Sequence, residues 1–354
     1  MDIWSLAKEK LRENEEKAAA SEDRDGIGDG RTVKSSTHIV ICGNAQSGKS
    51  VLVNKFLDRN EEPKETIALE YIYARRTRGN NKDICHIWEL GGGTKLAQLL
   101  AVPLVKDNIE ALSIILVLDL TRPNELWITM EQLLTTSARH TEAAIKELGE
   151  KRAAALRSRM KARIADMKDD VGSSAPFPVP LLIVGTRYDE FQNFDSEQRR
   201  RICSTLRFIA HYYGAHLIFY SRYNEQLVRV GRSMLSHLAF GTSVPKTKVD
   251  DHNKPLFVTA GMDSFESIGP PPGGSMAFSR AGQPIHLWRS AFCDHFKQTE
   301  HDSSEKTNDE QQLFQEPLID NLIAQREKDL DMYIRQKKDR QAAEARAAEK
   351  INSF

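Results

Sequence analysis

Short apolar runs recur along the chain, separated by longer segments whose apolar residues fall at helical spacing. We interpret the runs as β-strands over residues 38–42, 67–74, 84–90, 112–120, 181–185 and 216–220, with a further strand or packing segment over 254–260. Helical spacing marks residues 51–57, 94–102, 196–213 and 225–240, the third with Ser196 as expected N-cap and Gly214 as expected C-cap. This alternation predicts an α/β fold with a doubly wound, mostly parallel sheet.

The residues before the first strand divide into two segments. Residues 1–20 predict an amphipathic helix, over 2–19, that packs on its own domain or docks on another chain. Its apolar stripe comprises Ile3, Trp4, Leu6, Ala7 and Leu11. Residues 21–36 are polar and glycine-rich, which is typical of a flexible linker, and the main domain is predicted over residues 37–265.

Three further segments depart from the alternating pattern. Residues 126–170 form a long insertion with Glu–Lys pairs four residues apart, which indicates a helix that projects or lies on the surface, with Gly149 as a break or bend. Residues 266–315 are Pro/Gly-rich and then charged, and predict a linker with a short helix over 287–296. Residues 316–350 predict a C-terminal helix whose second half has almost no large apolar side chain.

Residues 43–50 read GNAQSGKS and match the phosphate-loop pattern G-x-x-x-x-G-K-[ST]. The predicted strand before the loop and helix after it are the context that this motif requires. Backbone N–H groups of such a loop converge on phosphate oxygens at a helix N-terminus, and Gly43 and Gly48 allow the close approach. Lys49 can then reach the β- and γ-phosphates, and Ser50 can ligate Mg²⁺.

Two positions after the loop have the order expected for the metal side of a Ras-like GTPase. Thr66 is placed like the switch threonine that senses Mg²⁺ and the γ-phosphate. WELGGG, residues 88–93, resembles the segment W-D-x-x-G-Q, with Glu89 in place of the acid that holds the metal shell and Gly92 in place of its glycine. Ser50, Thr66 and Glu89 are therefore the candidate Mg²⁺ site.

Two later motifs fall where a guanine base would be bound. TRYD, residues 186–189, stands where N-K-x-D would read guanine, and SRY, residues 221–223, stands where S-A-K would contact the guanine oxygen. Asp189 could accept two hydrogens from the guanine edge, or it is a turn or N-cap aspartate. With Thr186 and Ser221, it completes the candidate nucleotide-binding set.

Three departures from the GTPase pattern change the expected chemistry. Glu89 is one methylene longer than aspartate, Gly93 replaces the glutamine that orients water, and Thr186 replaces an asparagine. Because positioning the water is a large part of phosphoryl-transfer catalysis, we expect slow or absent hydrolysis. Bound GDP or GTP with Mg²⁺ would order Thr66 and the loop after Glu89, or the site stays empty. A working GTPase switch is the alternative, supported by Lys49, Ser50 and Thr66, and a P-loop kinase or ATPase is weakly supported.

Composition narrows the class of partner. The 50 basic and 50 acidic residues give no net charge, so nothing favours nucleic acid. The four cysteines are far apart in sequence and predict buried free thiols rather than a zinc site. The opening MDIW is unlike a signal peptide, no apolar run reaches about 18 residues, and neither terminus carries a common lipid signal.

The chain resembles the dynein light intermediate chain family, and most closely its cytoplasmic dynein 2 branch, in six runs. They are GNAQSGKS, WELGGGTKL, LVLDLTRPNELW, PFPVPLLIVGTRYDEFQNF, LRFIAHYYGAHLIFYS and NKPLFVTAGMDSF. Together they span about residues 38–265, and the last three are specific to this family rather than to GTPases at large. The short length fits the dynein 2 branch, because dynein 1 members have longer terminal extensions.

The resemblance implies a Ras-like P-loop domain with flanking helical extensions that docks on the tail of the dynein 2 heavy chain. It implies a non-catalytic subunit of the motor for retrograde intraflagellar transport, with roles in cilium assembly and ciliary length control. Other dynein 2 subunits are implied partners, microtubules only indirectly, and neither nucleic acid nor membrane insertion is expected. The implied locations are the cytoplasm, the cilium with its axoneme and basal body, and the centrosome.

Overall fold

The computed structural model of the protein describes residues 36–59, 61–78, 81–167, 170–244, 248–272, 284–299 and 317–352. The chain divides into two compact units, Met1–Thr299 and Glu300–Phe354. The helix predicted over residues 2–19 and nearly all of the linker predicted over 21–36 lie outside the described residues. Throughout the described parts of both units, no helix combines the length and apolar character that a membrane span needs.

The described part of the first unit contains one eight-stranded sheet. Its strands are β1 (Ser36–Gly43), β2 (Leu69–Arg78), β3 (Asn81–Leu90), β4 (Leu112–Asp119), β5 (Leu181–Thr186), β6 (His216–Phe219), β7 (Lys248–Val249) and β8 (Phe257–Val258). Their order across the sheet is β2-β3-β1-β4-β5-β6-β8-β7. The five strands from β3 to β6 run parallel, while β2 and β8 pair antiparallel with their neighbours. The predicted α/β fold with a mostly parallel sheet is confirmed.

Both faces of the sheet are covered by apolar side chains. All eight residues of β4 are buried, and neighbouring residues alternate between two core clusters, with Ile114 in one and Ile115 in the other. Ile115 pairs with Ile41 of β1 and Leu182 of β5 in the same register. A strand buried on both faces has no reason to alternate with polar residues, which explains its continuous apolar run.

The first hairpin is longer than the sequence pattern predicts. β2 continues to Arg78 and β3 starts at Asn81, so most of the segment between the strands predicted over 67–74 and 84–90 is paired strand. Arg76 pairs across the hairpin with Asp83, and their side chains form a salt bridge of 3.1 Å. Cross-strand pairing of polar residues stabilises a hairpin without any apolar pattern, so the prediction ended the strands too early.

Nine α-helices are described in the two units together. In the first unit they are α1 (Lys49–Phe56), α2 (Pro123–Glu147), α3 (Glu150–Arg163), α4 (Tyr188–Phe191), α5 (Ser196–Tyr212), α6 (Glu225–Phe240), α7 (Phe265–Ile268) and α8 (Pro284–His295). The second unit contains α9 (Pro317–Asn352). Residues predicted as a short helix over 94–102 form a 3₁₀-helix, Gly93–Ala101.

The caps of α5 and α6 explain how well their bounds are predicted. Asn224 caps α6, its side chain accepting hydrogen bonds from the N–H groups of Gln226 and Leu227, and α6 has the predicted bounds. The prediction of Ser196 as N-cap of α5 is wrong, because the side chain of Asp195 accepts a hydrogen bond from the N–H of Glu197 at 2.9 Å.

The long insertion packs on the core along most of its length. α2 buries Trp127, Met130 and Leu133 against the same apolar cluster as β4, and α3 buries Ala153 and Leu156 there. Of the two predicted alternatives, a helix that projects or one that lies on the surface, the structure shows the second, since α3 lies on the core with Ala153 and Leu156 buried and most of its other side chains exposed. The predicted break at Gly149 is confirmed, since α2 ends two residues before it and α3 begins directly after it.

The short helix predicted over residues 287–296 also packs on the core. α8 buries Trp288 and Phe292, and the ring of Trp288 stacks on Phe208 of α5 with centroids 4.6 Å apart. The sequence pattern predicts a linker here, but this segment contributes large aromatic side chains to the core of the first unit. Isolated aromatic residues between polar stretches give no periodic signal, which is why the pattern missed this packing.

Three of the four cysteines are buried, as predicted. Cys42, Cys85 and Cys203 are buried and Cys293 is partly buried, and all four are free thiols. Burial raises the pKa of the Cys42 thiol to about 12 and that of Cys85 to about 11. These thiols are therefore protonated and unreactive at neutral pH.

Candidate functional site

The candidate site lies at the carboxyl edge of the parallel strands. β1 ends at Gly43, β3 ends one residue after Glu89, and β5 ends at Thr186. Carboxyl ends of parallel strands meet at one edge, and ligands bind there in doubly wound sheets. The sheet thus brings together motifs that lie more than 140 residues apart in sequence.

The loop from Gly43 to Ser50 has the backbone that a phosphate cradle needs. Gly43 has a φ of +152°, and a Cβ there would lie 2.1 Å from the carbonyl oxygen of Val117. Gly48 has a φ of +90° and precedes the first turn of α1. The Nζ atom of Lys49 donates to the carbonyl oxygens of Gly43 at 3.1 Å and Asn44 at 2.7 Å. The lysine is therefore held under the loop, where a phosphate would meet it.

Ser50, Thr66 and Glu89 converge as predicted for the metal side. The Oε1 atom of Glu89 accepts hydrogen bonds from the hydroxyl of Ser50 at 2.6 Å and the hydroxyl of Thr66 at 3.1 Å. Glu89 is 1 % exposed and Thr66 is 8 % exposed. The extra methylene of glutamate lets its carboxylate reach both hydroxyls directly, so the loop that carries Thr66 is tied to α1 and β3 through protein atoms alone.

Burial shifts the two ionisable groups of this cluster in opposite directions. It raises the pKa of Glu89, which the hydrogen bond from Ser50 and the charge of Lys49 partly offset. Burial also lowers the pKa of Lys49, which the charge of Glu89 opposes. A cation that entered between these side chains would favour the ionised carboxylate.

Three glycines after Glu89 are packed closely against the site. A Cβ on Gly91 would lie 2.1 Å from the carbonyl oxygen of Thr66. Gly92 has a φ of +65° and precedes the 3₁₀-helix, where a Cβ would lie 2.7 Å from Leu96. Gly93 has a φ of +62°, with its absent Cβ 3.0 Å from the Oδ1 atom of Asn44. A side chain at the position where a water-orienting glutamine is expected would therefore crowd Asn44, which would have to move by a few tenths of an ångström.

Of the predicted guanine-side residues, Thr186 and Asp189 line a cavity of about 320 Å³ beside the phosphate loop, whereas Ser221 is not part of its lining. Gly48, Thr186 and Asp189 contribute to its walls. The hydroxyl of Thr186 is placed to donate to the carbonyl oxygen of Ser47 at 2.7 Å, which ties β5 to the phosphate loop. The hydroxyl of Ser221 donates to the Oδ1 atom of Asp189 at 2.5 Å. The TRYD and SRY motifs are therefore joined directly.

The sequence analysis did not identify several residues of the site. Arg187, in a left-handed conformation with φ of +56°, donates to the carbonyl oxygen of Gln46 at 3.1 Å and forms a salt bridge of 3.3 Å with Asp119. Arg187 lies inside the TRYD motif, so its position between two candidate residues could have identified it as a residue of the site. The amide of Asn44 donates to Glu125 of α2 at 2.9 Å, a contact for which the sequence has no local pattern.

The side chains present fit a nucleotide with Mg²⁺. Ser50, Thr66 and Glu89 offer oxygen atoms, the ligands that Mg²⁺ prefers, and the cavity is of the size that small ligands occupy. Bound Mg²⁺ would neutralise phosphate charge, while Lys49 and the loop N–H groups would hold the phosphates. Across the described residues, no cluster of three or more His, Cys, Asp or Glu side chains could hold another metal ion.

Comparisons with known proteins identify the family. A family model described as dynein light intermediate chain (DLIC) matches residues 29–160. Cytoplasmic dynein 2 light intermediate chain 1 of Bos taurus is 40 % identical over 344 residues, which cover 94 % of this chain and 95 % of that protein. The chain belongs to the dynein light intermediate chain family. The resemblance predicted from the sequence is confirmed.

A second relative and a solved structure agree with this assignment. The light intermediate chain described here is 41 % identical over 345 residues to cytoplasmic dynein 2 light intermediate chain 1 of Homo sapiens, with 94 % of this chain and 95 % of that protein covered. The crystal structure of a dynein light intermediate chain's conserved domain superposes with a TM-score of 0.51 and 15 % identity, covering 80 % of this chain and 99 % of that one. This superposition supports the fold alone.

Proposed function

We propose that this light intermediate chain is a non-catalytic accessory subunit of the cytoplasmic dynein 2 motor. It binds and stabilises the heavy chain, and it serves retrograde intraflagellar transport, cilium assembly and control of ciliary length. The observation that carries the proposal is its identity of about 40 % to dynein 2 light intermediate chains over 94 % of its length.

The packing around Gly93 supports a subunit without catalysis. Hydrolysis requires a group that orients water against the γ-phosphate, and losing such positioning costs orders of magnitude in rate. Gly93 has no such group, and a side chain there would crowd Asn44, with a Cβ 3.0 Å from its Oδ1 atom. The described site therefore supports binding of GDP or GTP with Mg²⁺ rather than turnover.

The role that we propose for the nucleotide is structural. Its phosphates would bind at Lys49 and the loop N–H groups, and Mg²⁺ would join Ser50 to Thr66. Glu89 already holds both hydroxyls through hydrogen bonds, so the loop at Thr66 has a stable position without metal. The nucleotide then adds stability to one conformation rather than selecting between two.

The proposed partners and locations follow from the family relationship. The heavy chain and other subunits of dynein 2 are the proposed direct partners, and contact with microtubules is indirect through the motor. We place the chain in the cytoplasm, along the ciliary axoneme, at the basal body and at the centrosome, where this motor is assembled and used.

A binding assay separates the structural role from a switch. The tail of the dynein 2 heavy chain is immobilised and incubated with this chain carrying GDP, a non-hydrolysable GTP analogue or no nucleotide. A structural site predicts that the heavy chain captures the GDP and analogue forms equally, within about twofold, whereas a switch has a typical coupling of roughly 5–150-fold. Heat-treated heavy-chain tail serves as the control for non-specific capture.

A working GTP-dependent switch is the second candidate. It is supported by the position of Lys49, Ser50 and Thr66 and by the cavity beside Asp189, which retain the parts that bind nucleotide. Single-turnover hydrolysis of bound GTP tests it. Release of phosphate together with a difference between the GDP and analogue forms in heavy-chain capture would favour the switch over the structural role.

A further inference from the structure

The outermost strand of the sheet has a free edge. β2 ends the sheet on one side and, among the described strands, pairs only with β3. The carbonyl oxygen of Ala68, just before β2, accepts a hydrogen bond from the N–H of Gly91 at 2.5 Å. In an antiparallel pair, the backbone groups of successive residues point alternately toward and away from the partner strand. The odd-numbered residues from Leu69 to Thr77 therefore direct their N–H and C=O groups to the free edge.

This free edge is long and accessible. β2 has ten residues, whereas a typical strand has about five or six. Tyr71 is 47 % exposed and Tyr73 is 57 % exposed, and the side chains of Arg75 and Thr77 are exposed as well. A long edge with unpaired backbone groups is a site where another strand can add to the sheet.

The sequence of β2 is complementary to itself when two copies run antiparallel. With Tyr73 on the two-fold axis, Glu70 of each copy lies opposite Arg76 of the other, Tyr71 opposite Arg75, and Ile72 opposite Ala74. Odd-numbered residues face odd-numbered ones, as the hydrogen bonds of the free edge require. This register opposes opposite charges, an aromatic ring and a guanidinium, and two apolar side chains, and it opposes no like charges.

The acidic residue of the edge lacks a cationic partner in its own chain. Glu70 is exposed, and the described residues offer it no ion pair. It lies opposite Glu89 of β3, and the two negative charges repel each other. Arg76 forms a salt bridge with Asp83 of its own hairpin, yet the Arg76 side chain is still 30 % exposed. A second copy would therefore give Glu70 the cation that its own chain does not provide.

Symmetry favours a second copy of the chain over an unrelated strand. In a two-fold dimer each contact forms twice, so the dimer contains two pairs of Glu70 with Arg76, and the interface closes after two chains. Charged residues on an edge strand normally prevent pairing with other chains. In this register the same charges attract a copy of β2, while a strand of unrelated sequence would leave them unpaired.

We propose that two copies of this chain associate through β2, antiparallel and with Tyr73 on the two-fold axis, so that their sheets become continuous. The proposal is independent of the proposed nucleotide site, to which none of the pairing residues belongs. One paired strand is a small interface, so the expected dissociation constant is about 1–100 μM.

Sedimentation equilibrium of the full chain, at concentrations below, within and above this range, tests the proposal. The unmodified chain should approach the mass of two copies at the highest concentration. Glu70→Arg would oppose arginine to Arg76 twice in the dimer, so it should weaken association at least about tenfold. Because Glu70 is an exposed side chain, this variant should fold as the unmodified chain does.

A compensating variant tests the register. Arg76→Glu with Asp83→Lys exchanges the two charges within the hairpin, and alone it should associate as weakly as Glu70→Arg because it opposes glutamate to Glu70. An equal mixture of the two variants should recover association to within about threefold of the unmodified chain, since both opposite-charge pairs form again between unlike copies. Thermal unfolding of each variant shows whether it is folded, and Glu70→Arg decides the outcome alone if the double variant is not.

The matched control is Glu225→Arg, which makes the same charge change away from β2. Glu225 begins α6, whereas Phe240, whose ring lies beneath the guanidinium of Arg76, ends that helix. The control should leave association unchanged. A chain that stays single at every concentration would overturn the proposal. Association that folded Glu70→Arg does not weaken, or that a mixture of two folded variants does not recover, would also overturn it, because the contact would then lie on another surface.

Discussion

A Cβ atom on Gly93 would lie 3.0 Å from the Oδ1 atom of Asn44 in the phosphate loop. Gly93 also has a φ of +62°, a conformation that side-chain-bearing residues rarely adopt. The catalytic position of the GTPase pattern therefore lacks the side chain, and packing and backbone conformation both disfavour one there. Restoring the missing glutamine would require Asn44 of the phosphate loop to move by a few tenths of an ångström.

The substitution Gly93→Gln should fail to create a GTPase. Contact with Asn44 and the left-handed backbone should destabilise the protein by about 1–3 kcal/mol, and phosphate release in a single-turnover assay should stay at the wild-type level. Gly149→Gln is the control, because nothing lies within 4 Å of a Cβ at Gly149. A substantial gain in hydrolysis by Gly93→Gln would show that the site is one residue away from catalysis.

Ser50→Ala should weaken both stability and nucleotide binding. It removes the 2.6 Å hydrogen bond to buried Glu89, a bond to a charged group worth about 1.5–3 kcal/mol, and it removes a proposed Mg²⁺ ligand. Urea unfolding without nucleotide measures the first effect, and nucleotide content of the purified protein in Mg²⁺ measures the second. Ser204→Ala, whose hydroxyl donates to Arg201 on its own helix, should change neither quantity by much. Unchanged nucleotide content in Ser50→Ala would contradict the metal-side assignment.

The pair Arg207–Asp263 should be essential to the packing of the chain after β6. Asp263 accepts two hydrogen bonds from Arg207, at 2.7 and 2.8 Å, and its side chain is 3 % exposed. Asp263→Asn leaves Arg207 without its buried charge partner, so the free energy of unfolding should fall by about 3 kcal/mol. Asp294→Asn, at an exposed carboxylate on α8, is the matched control and should have little effect. Equal stability of the two variants would contradict this role.

The same pair predicts an acid dependence. Burial alone would raise the pKa of Asp263, but the hydrogen bonds and charges of Arg207 and Lys248 lower it below its ordinary value of 3.8. Its stabilisation is therefore present above pH 3.8 and is lost as the pH falls through the folded-state pKa. The difference in unfolding free energy between wild type and Asp263→Asn should accordingly shrink as the protein is acidified.

His38 should make the protein less stable in mild acid. Burial, with a contribution from His86, lowers the pKa of His38 from 6.5 to about 4. Between these values the unfolded chain binds a proton that folded His38 does not, so the free energy of unfolding falls as the pH falls from 6.5 to 4. His38→Phe should reduce that slope by up to one proton. Identical slopes in wild type and His38→Phe would refute the assignment.

The elements that the sequence predicts best are those with signals inside one segment. α6 has the predicted bounds because Asn224 caps one end and Gly241, with φ of +65°, closes the other. β4 is predicted because a strand covered on both faces must be apolar throughout. The polar half of the β2–β3 hairpin was missed, since cross-strand pairs such as Arg76 with Asp83 leave no trace in either strand alone.

In the candidate site, too, the residues that could be predicted are those with a signal inside one sequence segment. Ser50, Thr66 and Glu89 could be predicted because each stands in a short motif with a known order, and the sheet brings those motifs to one edge. The contact of Asn44 with Glu125 joins residues of two different elements, so only the folded chain reveals it. The tight packing around Gly93 could not be predicted either, because the sequence does not show which atoms a side chain at that position would contact.

Affinity purification from ciliated cells tests directly whether this chain is a subunit of the dynein 2 motor. Tagged wild-type chain and an untagged control are purified, and the dynein 2 and dynein 1 heavy chains are quantified per tagged chain. We expect dynein 2 heavy chain in near-stoichiometric amount, with dynein 1 heavy chain at the level of the control. Absence of dynein 2 heavy chain from a soluble, folded preparation would contradict it and favour an independent nucleotide-binding protein.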